Sequence, residues 1–196
     1  MEKTIPLEPG VYYHIYNRGI NGENIFREER NYAYFLRLYT RHVEPIADTF
    51  AYCLLRNHFH LLARIKTFEV SETSKVLDPT QQFSNFFNAY AKAIDKAYQR
   101  TGSLFEHRFG RIPITSDRYF MQLVHYIHFN PQKHGFAEDF REWPYSSYHT
   151  MLSDKPTRLK RDHVLDWFDG RVRFVDIHQA LADERAIKDL ISDDDD

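Results

Sequence analysis

Residues 51–65 read AYCLLRNHFHLLARI, two apolar runs rich in strand-forming residues on either side of Arg56-Asn57. Asn accepts left-handed backbone geometry, so the pair reads as a tight turn and the runs as an antiparallel hairpin, 48–55 and 58–65. Strand side chains alternate between faces. His58 and His60 therefore project from one side, about 7 Å apart. Phe59, Leu61, Ala63 and Ile65 project from the other, as a core face should. Long apolar runs around the histidines mark a central strand, where a polar side chain needs a reason to be present. Neutral imidazole is a common metal ligand, so a His-x-His pair on a rigid strand is a two-ligand clamp. The plain alternative is a solvated strand face that happens to carry two histidines.

The rest of the chain supplies elements to surround this hairpin. Residues 11–16 (VYYHIY) read as a first strand, followed by Asn17-Arg18-Gly19 as a turn. His14 on that strand is either structural or close to the site. Residues 28–43 read as a helix with Tyr32, Phe35, Leu36 and Tyr39 on one stripe, ended by Pro45. Residues 80–100 form a second helix, with Phe83, Phe86, Phe87, Tyr90, Ile94 and Ala97 at helical spacing and Gly102 as its stop. Residues 104–114 mix aromatics with Arg108 and Arg111, as a strand or hairpin that either touches phosphates or is an ordinary basic edge. Residues 116–130 begin with a Ser116 cap and Asp117 in the first turn, and Pro131 should end the helix. Tyr119, Leu123, Tyr126 and Asn130 share one face of it, while Phe120, Val124 and Ile127 form a stripe that would dock on the sheet. Residues 132–148 read as a loop, and 165–168 and 180–191 as short helices.

This order predicts an α+β fold: a ferredoxin-like or RRM-like βαββαβ sandwich with an antiparallel sheet and helices on one face. The Tyr126-bearing helix and a C-terminal helical extension would be added to it. The expected divisions are a domain at 1–150, the extension at 151–192, and a disordered acidic tail at 193–196.

Composition narrows the function classes. The 196-residue chain carries a net charge of −2, which argues against non-specific coating of nucleic acid. Without Asp193–Asp196 it is slightly basic, so a nucleic-acid partner stays open. Aromatics make up 16% of residues and suit either base stacking or an ordinary aromatic core. The single Cys53 excludes an internal disulfide and fits a reducing compartment. No apolar run has the length of a membrane span, and Met1-Glu2-Lys3 leads into no signal-peptide core, so a cytoplasmic protein without a membrane partner is expected.

Four motifs stand in fixed order: YYHIYNRG (12–19), NHFHLL (57–62), GSLFEHRF (102–109) and YIHFNPQKHG (126–135). With WPYSSY (143–148), the set resembles the REP-associated tyrosine transposases of the HUH single-tyrosine class, over roughly residues 10–150. WFDGRVRF (167–174) is similar to tails of that family. The hairpin bend often reads Pro-Asn-His there, and Arg56 stands in the proline's place here. The resemblance implies a metal-dependent endonuclease and strand transferase acting on single-stranded DNA beside a hairpin. His58, His60 and Asn130 would hold the divalent metal. Tyr126, preferred by the resemblance over Tyr119, would be the nucleophile, leaving a 5′-phosphotyrosine link. Histidine ligands make Mn²⁺ the better chemical match, while Mg²⁺ is commoner in cells. Arg18, Arg64, Arg108 and Arg111 are candidate DNA contacts. The expected assembly is a monomer or a homodimer. The rival reading is a non-catalytic RRM-like module that binds single-stranded nucleic acid by stacking.

Overall fold

Antiparallel pairing builds one four-stranded sheet in the order β2-β3-β1-β4. Its strands are β1 (Tyr12–Arg18), β2 (Ala47–Leu54), β3 (His58–Ile65) and β4 (Gly110–Pro113). The structure, a computed structural model, describes residues 5–67, 77–106 and 108–180. The acidic tail and all but the first residue of the helix expected at 180–191 lie outside these residues. Helices α1 (Glu29–His42) and α2 (Pro79–Tyr98) complete the βαββαβ order, so the expected sandwich is the one observed.

Local sequence explains where these helices begin. Glu28 and Asn31 form a reciprocal capping box at α1. At α2 the Asp78 carboxylate accepts from the backbone N–H groups of Thr80 and Gln81, and Pro79 occupies the first turn, where its missing donor costs nothing. Gln99, at φ 51°, ends α2 in the left-handed conformation, three residues before Gly102.

The sheet has an apolar layer on each face. Phe35, Phe59, Leu61, Phe83, Phe86 and Tyr90 fill the layer under α1 and α2. On the other face lies α3 (Asp117–Lys133), which buries Phe120, Val124 and Ile127 against Phe50, Cys53 and Leu62. The Ser116 hydroxyl caps α3 by accepting from the Tyr119 N–H. The helix runs through Pro131 for a further two residues instead of stopping before it. Phe129, Asn130 and Pro131 are all buried, and that packing outweighs the bias of a pre-proline residue against the α region.

Other expectations shift. Asn17 and Arg18 belong to β1 and form no turn. Gly19 follows with φ −67°, so it is not there for positive φ. A Cβ on Gly19 would lie 2.0 Å from the Glu23 carbonyl oxygen, and close backbone approach is what requires glycine. Among the described residues of 104–114, only Gly110–Pro113 is a strand. The 132–148 loop contains one 3-10 turn, Phe140–Glu142. Beyond it come α4 (Tyr148–Leu152), α5 (Arg161–Trp167) and α6 (Arg171–Ala180). Val164, Phe168 and Phe174 from this C-terminal part join the apolar layer under α3.

The C-terminal segment also covers the β2 edge. Leu54 N–H donates to the Tyr145 carbonyl, Ser147 N–H to Tyr52 and Lys160 N–H to Thr49. An unpaired strand edge is a template for aggregation, and this cover removes most of it.

Candidate active site

The site lies where the start of β3 faces the last turns of α3. Alternation along β3 sends Phe59, Leu61, Ala63 and Ile65 into the α1/α2 layer. His58 and His60 are thereby turned towards α3, with ring centroids 5.2 Å apart. Tyr126 and Asn130, one helical turn apart on α3, meet them. The Tyr126 ring centroid is 5.3 Å from that of His60. Asn130 Oδ1 lies 3.3 Å from His58 Nε2. The structure therefore brings His58, His60, Tyr126 and Asn130 together.

Hydrogen bonds fix what each group presents. Asn130 Nδ2 donates to the Tyr126 carbonyl at 3.1 Å, which turns Oδ1 towards His58. His58 Nδ1 is 2.7 Å from Asn57 Oδ1. Burial, aided by nearby His134, lowers the His58 pKa to about 4, so the ring is neutral at pH 7 and has a single N–H. With that proton on Nδ1, at the shorter contact, His58 Nε2 would turn a lone pair towards the Asn130 oxygen, an arrangement that favours a cation between the two.

His60 is in a drier setting. Its pKa is driven well below the ordinary imidazole value, first by burial and then by His14 and His58. Its Nε2 is buried and has no hydrogen-bond partner, an arrangement that costs free energy unless something binds there. The donor set of two imidazole nitrogens and an amide oxygen fits a divalent ion. Among the described residues no group of three or more His, Cys, Asp or Glu gathers as a metal site, and here the third donor is an amide.

Three neighbours had no firm role on sequence grounds. His14 Nε2 lies 2.9 Å from His60 Nδ1. His134 packs against His58, with ring centroids 4.8 Å apart. Lys133 places its ammonium 5.3 Å from the centre of the Tyr126 ring. His14 could have been found by alternation once β1 is paired with β3, because Tyr16 opposite His60 shares its face. Lys133 and His134 lie beyond the proline expected to end the helix, so no pattern in the sequence brings them back to Tyr126.

The four arginines separate. Arg18 pairs with His58 across the strands and borders the site, with its guanidinium 3.4 Å from Glu106. Arg64 is at the far end of β3, where its Nε donates to the Gly10 carbonyl and its guanidinium rests over Tyr12. Arg108 is exposed, at φ 58°. Arg111 pairs with Ile15, which faces the α1/α2 layer, so it lies on the opposite face from the histidines. It is buried against Phe109 and donates to Ile5 O and Thr80 Oγ1.

A ferredoxin-like sheet carrying paired histidines on a central strand, opposed by a helical tyrosine and asparagine, is the class that fold and site define. Comparisons with known proteins agree with the family resemblance. The chain is similar to a Haemophilus influenzae protein named "Putative REP-associated tyrosine transposase", with 30% identity over 104 residues. That match takes in 52% of this chain and 59% of the relative, so the chain spans about three-fifths of its length. A solved REP-associated tyrosine transposase bound to a REP hairpin shares the fold, with TM-score 0.60 and 14% identity. The alignment covers 80% of this chain and 88% of that one. No protein-family model matches the chain.

Proposed function

We propose that this protein is a metal-dependent endonuclease and strand transferase that cuts single-stranded DNA next to a hairpin. The observation that carries the reading is the convergence of Tyr126 and Asn130 on α3 with His58 and His60 on β3. Both relatives are named as REP-associated tyrosine transposases, and one was solved on a REP hairpin, which supports hairpin DNA as the partner.

In the proposed reaction the Tyr126 oxygen attacks a backbone phosphorus. The phenol gives up its proton as the phosphorus–tyrosine bond forms, the bond to the 3′ oxygen breaks, and that oxygen takes up a proton and leaves as a 3′-OH. The 5′-phosphotyrosine link retains the phosphoester, so a second 3′-OH can attack it and rejoin strands. His58 Nε2, His60 Nε2 and Asn130 Oδ1 would hold Mn²⁺ or Mg²⁺, which supplies charge stabilisation at the phosphate oxygens. Tyrosine has an ordinary pKa of about 10 and is a weak nucleophile at neutral pH. The Lys133 ammonium at the ring of Tyr126 favours the developing phenolate. Arg18, bordering His58, and exposed Arg108 are the better placed of the four arginines to meet a DNA backbone. All four central residues come from one chain, which supports a monomer as the catalytic unit.

A stacked duplex would hold its phosphates away from a tyrosine that is itself only 3% exposed. Labelled hairpin DNA with a single-stranded flank should be cut in Mn²⁺ or Mg²⁺ and left intact in EDTA. A fully paired duplex of the same sequence should be spared. Equal cutting of the duplex, or cutting that is indifferent to EDTA, would refute the reading.

A further inference from the structure

His14 is a buried histidine on β1, 3% exposed, whose Nε2 lies 2.9 Å from Nδ1 of His60. The two rings are stacked, 5.1 Å between centroids at 25°. Between two neutral imidazoles this contact has two forms. In one, His60 Nδ1–H donates to His14 Nε2, and His60 Nε2 carries a lone pair. In the other, His14 Nε2–H donates to His60 Nδ1, and His60 Nε2 carries the proton and can ligate nothing.

The structure distinguishes the forms by what each demands at the far side of His60. Nε2 is buried without a partner beside His58 and Tyr126. Asn130 Oδ1 and His58 Nε2 lie 3.3 Å apart close by, but neither is within hydrogen-bonding reach of His60 Nε2. An N–H at His60 Nε2 would therefore be a buried donor without a partner. A lone pair there would be a third acceptor, which completes a cation site. We propose that His14 is a positioning residue: it accepts the proton of His60 Nδ1 and so holds His60 Nε2 as a bare nitrogen facing Tyr126 and His58.

The inference rests on the proposed metal site for its purpose, although the tautomer itself does not require metal. Both rings are shut off from solvent, His14 3% and His60 4% exposed, so the contact between them is not shared with water. Removing His14 takes away the acceptor that faces His60 Nδ1. Groups that orient metal-bound histidines in this way typically contribute about 10- to 100-fold in metal affinity.

The test has two readouts on the full chain. Long-range ¹H–¹⁵N correlation spectra of ¹⁵N-histidine-labelled protein without metal report which His60 nitrogen bears hydrogen. Wild type should show Nδ1–H and bare Nε2. His14→Leu should redistribute the proton towards Nε2, and calorimetry should show Mn²⁺ affinity weaker by about 10- to 100-fold. His14→Gln offers a side-chain carbonyl to the same N–H and should recover most of both. Protonated Nε2 in the metal-free wild type would overturn the proposal, even if the Leu variant failed to fold. So would an unchanged tautomer and unchanged Mn²⁺ affinity in His14→Leu. The expected wild-type tautomer with no Mn²⁺ binding would support the role of His14 and refute the metal site instead.

Discussion

Tyr119 and Tyr126 stand two turns apart on the same side of α3, and their surroundings differ. Tyr126 is buried beside the His60 ring, whereas Tyr119 packs at the margin of the apolar layer shared with Phe120. The spacing pattern alone could not choose between them, since both tyrosines satisfy it. What the pattern lacked was the position of β3 across from α3. The histidine pair gives a direct residue-scale prediction. The His58→Ala, His60→Ala double variant should keep its fold and lose measurable Mn²⁺ binding, and undiminished affinity by calorimetry would contradict the assigned ligands. Gly19 gives a second. It is required for close approach and not for a turn conformation, because a methyl group there would meet the Glu23 carbonyl at 2.0 Å. Gly19→Ala should cost about 1–3 kcal/mol in urea denaturation, the range for overpacking. A cost below about 0.5 kcal/mol, outside that range, would mean that the loop yields easily.

At the scale of elements, β3 was legible to the residue, because strict alternation of Phe59, Leu61, Ala63 and Ile65 leaves one strand register and two clear faces. Helices α1 and α2 were legible within about two residues from their aromatic stripes and caps. The end of α3 was not, because its course through Pro131 is decided by tertiary packing of Phe129 and Asn130. The cover over β2 was hidden for a different reason. It consists of isolated backbone bonds from Tyr145, Ser147 and Lys160, which leave no periodic trace in sequence. Ser147 is the element-scale test. Its hydroxyl accepts from the Tyr52 N–H at 2.9 Å and lies 2.8 Å from His128 Nε2. Ser147→Ala should destabilise the protein by about 1–3 kcal/mol, the cost of stranding buried polar partners. Urea midpoints equal to wild type would show that water or relaxation replaces those bonds.

Across the whole molecule, buried neutral histidines tie α6 to α3. His178 on α6 donates Nδ1–H to the Phe174 carbonyl and meets His128 of α3 at 3.0 Å. Burial lowers His125 to about 4 and His178 to about 3. The unfolded chain binds protons at these groups below about pH 6.5, and the folded chain does not until far lower pH. Their stabilising effect is therefore complete above about pH 6.5 and is lost as pH falls towards about 4. Unfolding free energy should drop by roughly 1 kcal/mol per histidine between about pH 7.5 and 5.5, and a flat profile would contradict neutral burial. The same packing places α3 against β3, and on that placement the proposed chemistry depends. Its most direct test is to incubate wild type, Tyr126→Phe and Tyr119→Phe with hairpin DNA labelled on the side retained after attack, in Mn²⁺. Denaturing electrophoresis and peptide mapping then locate any adduct. A covalent adduct on Tyr126, absent from Tyr126→Phe and retained in Tyr119→Phe, is the expected result. An adduct on Tyr119, or efficient nicking by wild type with no adduct, would contradict the assignment of Tyr126 as nucleophile.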